Sequence, residues 1–140
     1  MDLAFIVLIK GMRLWLLLVL TTLLPMSGQV NDPNGRDLYA RGEEHFFAGR
    51  IDESIQSWDL EIVAQPFREP YHWQRGLALY YANEFEKGVR QFELHQKVNR
   101  NDVENAAWHF LCVVRAEGGS VKKARKALIP IVGDSRVPMK

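Results

Sequence analysis

Four histidines (His45, His72, His95 and His109) and a single cysteine, Cys112, are the side chains with which this 140-residue chain could hold a metal or run acid-base and nucleophilic chemistry. A zinc hydrolase would need His-Glu-x-x-His or a comparable paired-ligand spacing, because two ligands must face one ion from one helix. No such spacing occurs, so the histidines read as packed or solvated helix residues. His109 and Cys112 stand three apart on one helical face, as a nucleophile and its base would. Reactive thiols, however, sit exposed in electropositive surroundings. There is no Cys-x-x-Cys-His, no glycine-rich phosphate loop and no Gly-x-Ser-x-Gly elbow. Glu43-Glu44 and Glu84 with Glu86 supply paired carboxylates, but glycoside chemistry needs two that face a cleft with one kept protonated, and these read as solvated charge. The residues therefore predict no catalytic site, no metal and no cofactor.

The first 28 residues are compositionally apart. Lys10 and Arg13 precede the apolar run Leu14 to Leu24, and Met26-Ser27-Gly28 follows Pro25. Basic, apolar, small is the order of a secretory signal peptide, with cleavage after Gly28. An uncleaved membrane anchor is the alternative, although Lys10, Gly11 and Arg13 interrupt the roughly 20 apolar residues that a spanning helix needs. The chain is thus expected to be exported, to the periplasm or the cell exterior, and to meet a membrane only through this segment. One cysteine cannot form an internal disulfide, so the fold must rest on its core.

Residues 29–140 carry 16 Lys or Arg against 16 Asp or Glu. Neutrality argues against nucleic acid as a partner, which requires a dense basic footprint. The distribution is uneven: residues 37–111 hold 8 basic against 13 acidic, and 112–140 hold 7 against 2. Lys122, Lys123, Arg125 and Lys126 form a basic run that suits an acidic partner, an anionic lipid or simply solvent.

The elements that must position any site are helical. After a flexible lead over residues 29–36, rich in turn formers, the apolar spacing predicts six helices in three pairs and no strand. Gly49 ends the first, and Asp52 is placed to cap the second, which Pro66 stops. Pro70 suits the first position of the third, whose sequence YHWQRGLALYYA is apolar on nearly every side and should be buried on two faces. Asn83 ends it. Asn101 with Glu104 reads as a capping box, Gly118-Gly119 as a break, and Ser120 as the cap of a last helix that Pro130 ends early.

Residues 41–49 read RGEEHFFAG, and residues 75–83, starting 34 positions later, read RGLALYYAN. A period of 34 built from helix pairs resembles the tetratricopeptide repeat, whose pattern is W-x2-L-G-x2-Y, then A-x3-F, then P. In the first copy Leu38, Gly42, Ser54, Trp58 and Pro66 fall at the Trp, Gly, Ala, Phe and Pro positions. In the second, Gly76, Leu79, Gly88 and Phe92 take the Gly, Tyr, Ala and Phe positions, with His72 and Arg100 standing for Trp and Pro. The third, shifted by two residues, uses Trp108, Leu111, Cys112, Ala124 and Leu128; Arg41 and Arg75 replace Leu in the first two. The resemblance covers residues 37 to about 132 and divides a domain at 37–137 into repeats over 37–68, 69–102 and 103–132.

What the resemblance implies is a short all-α solenoid in which small residues (Gly42, Ser54, Gly76, Gly88, Cys112, Ala124) admit close helix approach beside large ones (Trp58, Phe92, Leu128). The first helix of each pair would line a concave groove at Tyr39, Glu43 and Phe46, then Trp73, Leu77 and Tyr80, then His109 and Val113. That groove would take a protein or peptide partner, and its aromatics suit anchoring, although packing against one another is the equal alternative. The Lys and Asn of a carboxylate clamp are replaced by Tyr39, Trp73 and Glu43. The chain is also similar to repeat lipoproteins of the bacterial envelope, of the NlpI type, which act as adaptors for envelope proteases and peptidoglycan enzymes, but it lacks their acylated Cys. The expectation is a non-enzymatic adaptor or scaffold. Its rivals are a homo-oligomer joined at the apolar edge near Ile129 to Val132 and an envelope hydrolase with a site in the groove.

Overall fold

The computed structural model describes residues 36–136. The expected signal peptide over residues 1–28 and the lead that follows it, up to residue 35, lie outside the described residues. Among the described residues the chain is all-helical and carries no strand. The order is α1 (Arg36–Phe47), α2 (Ile51–Ala64), a 3-10 helix (Pro66–Tyr71), α3 (Trp73–Tyr81), α4 (Phe85–Val98), α5 (Val103–Arg115) and α6 (Val121–Lys126). Each helix packs chiefly on its neighbours in the chain; α3 also reaches α5, and the 3-10 helix lies against α2 and α4. No described helix is long and apolar enough to cross a membrane.

The repeated stretches end in the same turn. At Gly49, with φ of 74°, the Gly49 N–H donates to Phe46 O (3.0 Å) and the Arg50 N–H to His45 O (2.9 Å). At Asn83, with φ of 63°, the Asn83 N–H donates to Tyr80 O (3.1 Å) and the Glu84 N–H to Leu79 O (2.8 Å). Both are left-handed helix caps that occupy carbonyls left over at the end of a helix. Glycine meets that φ without a side-chain penalty, and Asn is among the few other residues that tolerate it.

Three start signals differ from expectation. Arg50, not Asp52, is the cap position of α2, because the bent Gly49-Arg50 turn leaves no extended residue ahead of Asp52; Asp52 instead lies in the first turn, where a carboxylate complements the helix dipole. Pro66 and Pro70 both sit in the 3-10 helix, and α3 starts only at Trp73, so the third helix is shorter than the sequence pattern suggests. Asp102, one residue after Asn101, caps α5 by accepting from the Asn105 N–H at 3.1 Å. Ser120 caps α6 as expected, accepting from the Lys123 N–H at 3.1 Å.

Small residues face large ones inside the pairs. A β-carbon added at Gly42 would lie 2.5 Å from Cε2 of Trp58, and one at Gly76 would lie 2.6 Å from Cζ of Phe92. One at Gly88 would lie 2.7 Å from Sγ of Cys112, which joins α4 to α5. Trp58, Phe92, Leu79 and Cys112 are buried; burying Phe92 alone is worth about 1.5–3 kcal/mol. The indole of Trp58 donates to Tyr39 O at 3.2 Å, so its polar atom is satisfied inside the core. Arg75, standing where the resemblance has Leu, donates to Asp59 Oδ1 of α2 (2.6 Å) and to Gln91 Oε1 of α4 (2.9 Å). Gln91, itself buried, donates to Glu69 O of the 3-10 helix at 2.8 Å, so a polar strut replaces an apolar contact.

The third pair departs from its expected packing. Leu128, expected to fill the space between helices, is 54% exposed, while Ile129 is 8% exposed. The helix is six residues long and ends at Lys126, and Pro130 pushes Ile129 out of helical geometry, so the chain turns Ile129 inward. The third helix is not buried on two faces either. It buries Gly76, Ala78 and Leu79 but leaves Trp73 and Tyr81 exposed at 41% and 55%.

Candidate functional site

Aromatic side chains from α1, α3 and α5 form one continuous row. Phe47 stands edge-on to Phe46 (ring centroids 6.0 Å), Phe46 against Tyr81 (6.3 Å), Tyr81 against Tyr80 (5.8 Å), and Tyr80 against Trp108 (5.2 Å). Phe85, at the start of α4, closes the row beside Tyr80 at 5.6 Å. The Arg115 guanidinium lies 4.6 Å from the Phe85 centroid and 5.6 Å from that of Tyr80, a cation over two π faces. It is steadied by Asn83 Oδ1, which accepts from Nη2 at 3.3 Å. The helical turn in α1 and α3 puts adjacent aromatics on diverging directions, so one of each couple packs inward and the other faces water: Phe47 is 84% exposed.

A polar stripe runs alongside. Gln74 Nε2 of α3 donates to the Tyr39 hydroxyl (2.9 Å) and to Glu43 Oε1 (3.2 Å), both on α1. Burial, and next the Glu43 carboxylate, raise the Tyr39 phenol above its ordinary value. Beneath Tyr39 the buried Glu61 carboxylate stands 2.6 Å from Arg68 Nε and 3.3 Å from His72 Nε2. Burial first, then the Arg68 and Arg75 charges, lower His72 to about 4. It is Arg68, therefore, that balances Glu61, and His72 sits there as a neutral ring facing Trp58 and Tyr39 at 6.5 and 5.5 Å.

At the far end of the row a pocket of about 200 Å³ opens between Trp73 and Trp108, floored by Phe92, His95 and Asn105 and rimmed by Asp102, Glu104 and Arg136. His95 is fixed by its Nδ1 against Pro70 O at 2.9 Å. Asn99 Nδ2 donates to Asp102 Oδ2 at 2.9 Å.

The eight expected groove residues divide. Tyr39 and Phe46 are half-buried and pack on the core around Trp58, Glu43 joins the polar stripe, Leu77, Tyr80 and Val113 are half-buried, and Trp73 borders open surface. His109 is not on the face: it is 2% exposed and stands 3.6 Å from Glu93 Oε1 of α4. Burial lowers it, opposed by Glu93. The reason is the phase of α5, which buries Asn105, Ala106, His109 and Cys112 and so turns Trp108 toward α3 in place of His109. Phe47, Gln74, Tyr81, Trp108 and Arg136 join the site without having been expected there. Phe47 and Tyr81 were legible as the second aromatics of the repeated stretches; Arg136 had no local signal.

Among the described residues no group of three or more His, Cys, Asp or Glu could hold a metal ion. Cys112 is buried, and burial pushes its thiol up to about 12. No protein-family model matches the chain, and no curated protein or solved structure is significantly similar to it.

Proposed function

We propose that the chain is an exported, non-enzymatic adaptor: a short solenoid of three tetratricopeptide-type hairpins that takes a protein or peptide partner on the face made by α1, α3 and α5. The observation that carries this reading is the aromatic row, continuous from Phe47 to Trp108 and open to water at Phe47 and Tyr81. A contiguous exposed aromatic surface is rare on a protein that works alone, and Tyr and Trp anchor partners at low entropic cost. The solenoid reading is supported by the Gly42/Trp58 and Gly76/Phe92 contacts, which recur 34 residues apart, and by the matching turns at Gly49 and Asn83. Export rests on the sequence of residues 1–28.

The test is crosslinked affinity capture of the tagged full chain from its own cells, with the mature N-terminus sequenced from the same sample. Phe47→Ala and Tyr81→Ala should each weaken capture of the enriched partner by about 1–3 kcal/mol. Equal yields for wild type and both variants would sink the aromatic-face reading, and a retained N-terminus would sink cleavage after Gly28. A second reading, self-association through the C-terminal edge, is favoured by the exposure of Leu128 and Val132, the latter 95% exposed. Sedimentation of wild type against Leu128→Ser decides it.

A further inference from the structure

The segment 131–136 folds back over the start of α5. The Val132 N–H donates to Asn101 Oδ1 at 3.4 Å, and Asp134 Oδ2 accepts from the Val103 N–H at 3.3 Å. Arg136 then reaches the rim of the Trp73/Trp108 pocket, giving Nη2 to Asp102 Oδ1 (2.8 Å) and Nη1 to Glu104 Oε2 (3.1 Å) while Asp134 holds it from behind (2.5 Å). We propose that this pocket is a site for an arginine side chain, that Arg136 occupies its rim in cis, and that an arginine-bearing peptide takes the site when the segment lifts. The proposal rests on the aromatic-face reading, since the pocket is the end of that face, and it names the partner's anchoring side chain.

Four features select this ligand. The pocket offers acceptors and π faces: Asp102 and Glu104 at the rim, indoles of Trp73 and Trp108 as walls. A planar guanidinium is the group that pairs with carboxylates through its N–H fork and also stacks on an indole. Inside, Asn105 is 3% exposed and its Oδ1 has no hydrogen-bond partner, because its orientation is set by Nδ2, which donates to Phe92 O (3.1 Å) and Gln96 Oε1 (3.4 Å). A buried acceptor left open beside two carboxylates calls for a donor. The volume, about 200 Å³, falls below the about 300–1,000 Å³ of pockets that enclose whole small molecules, and suits one long side chain. Anions are disfavoured by the Asp102 and Glu104 carboxylates at the rim.

Arg136 shows how the rim receives a guanidinium: its side chain is 46% exposed, while those of Asp102 and Asp134, on which it rests, are 11% and 4% exposed, so a competing arginine gains access from the open side and takes over carboxylates that are already out of water. A segment that closes on its own body in this way acts as a latch: it lowers the apparent affinity of a competing peptide by the fraction of time the site is closed.

The probe is a labelled peptide copying Ile131 to Arg136 (IVGDSR), titrated in trans into the full chain and its Arg136→Gln variant by fluorescence anisotropy. A latch closed about nine-tenths of the time predicts that Arg136→Gln binds the peptide about 10-fold tighter than wild type. In the same background Trp73→Ala should lose the peptide, and a peptide whose arginine is replaced by glutamine should not bind. Equal affinity of wild type and Arg136→Gln, or equal binding of the arginine and glutamine peptides, overturns the proposal. So does a variant that loses thermal stability and binds no peptide, which would make the segment a cap for α5 alone. Phe47→Ala, remote from the pocket, leaves this titration unchanged, so a failure of partner capture through the aromatic row and a failure of the arginine site are told apart.

Discussion

Replacing Gly42 with Ala should destabilise the fold although Ala is the better helix former. The gain from propensity is about 1 kcal/mol. Against it, the added β-carbon would stand 2.5 Å from Cε2 and 2.6 Å from Cδ1 of Trp58, a side chain with no exposed surface. Contacts this short cannot persist, so either the ring or α1 must move. Overpacking of a buried site costs about 1–3 kcal/mol. The ring's displacement also pulls the indole N–H off Tyr39 O, its 3.2 Å acceptor, at a further cost of about 1–3 kcal/mol if nothing replaces it. The net loss comes to about 1–5 kcal/mol, and at about 4–8 °C per kcal/mol for a domain of this size a central value of about 3 kcal/mol lowers Tm by about 12–24 °C. Thermal and urea melts followed by circular dichroism measure it. Because the cause is a clash with one ring, Trp58→Leu should absorb part of the cost, giving a coupling of about 0.5 kcal/mol or more in the double-mutant cycle. Gly49→Ala is the control: nothing lies within 4 Å of an added carbon there, so its cost comes from the φ of 74° alone and Trp58→Leu leaves it unchanged. A Gly42→Ala variant as stable as wild type would refute the reasoning, since it would mean that α1 and α2 are not held at the separation that the glycine sets.

The remaining predictions concern protons. His72 has a folded value of about 4 against an ordinary 6.5, so between these the unfolded chain binds the proton more readily; its contribution is full above about pH 6.5 and is lost as pH falls toward 4. At about 1.4 kcal/mol per pH unit the loss reaches up to about 3 kcal/mol, and urea midpoints of wild type minus those of His72→Gln across this range should show it; parallel curves would refute the burial of a neutral ring. Cys112, pushed up to about 12 by burial, should react with a thiol reagent at pH 8 only as fast as the protein opens, and Gly88→Ala, which would crowd its sulfur, should speed that reaction by loosening the α4–α5 contact. Fast labelling of the folded wild type would place the thiol at the surface.

Much of the helical framework was legible because the signals that set it act over a few residues. A positive φ at Gly49, Asn83 and Gly118 needs Gly or Asn, Pro66 ends α2, and Ser120 caps α6. Cap positions differ from the sequence expectation by one or two residues where the deciding factor is the path of the preceding turn, as at Arg50 and Asp102. The candidate site was less legible. A helix apolar on most sides leaves its phase open, and only packing of α5 against α4 and α3 decided that His109 turns in and Trp108 turns toward α3. The export and partner readings come from residues and resemblance, and stand as proposals for the experiments above. By itself, the amino-acid order determined where the helices break, since that is a property of neighbouring dihedrals; which ring each small residue meets was decided by how the helices pair. Tertiary structure alone decided that Arg136 meets Asp102, 34 residues away, at the mouth of a pocket walled by two tryptophans, because ion pairs across that span depend on where the chain returns and not on any local preference.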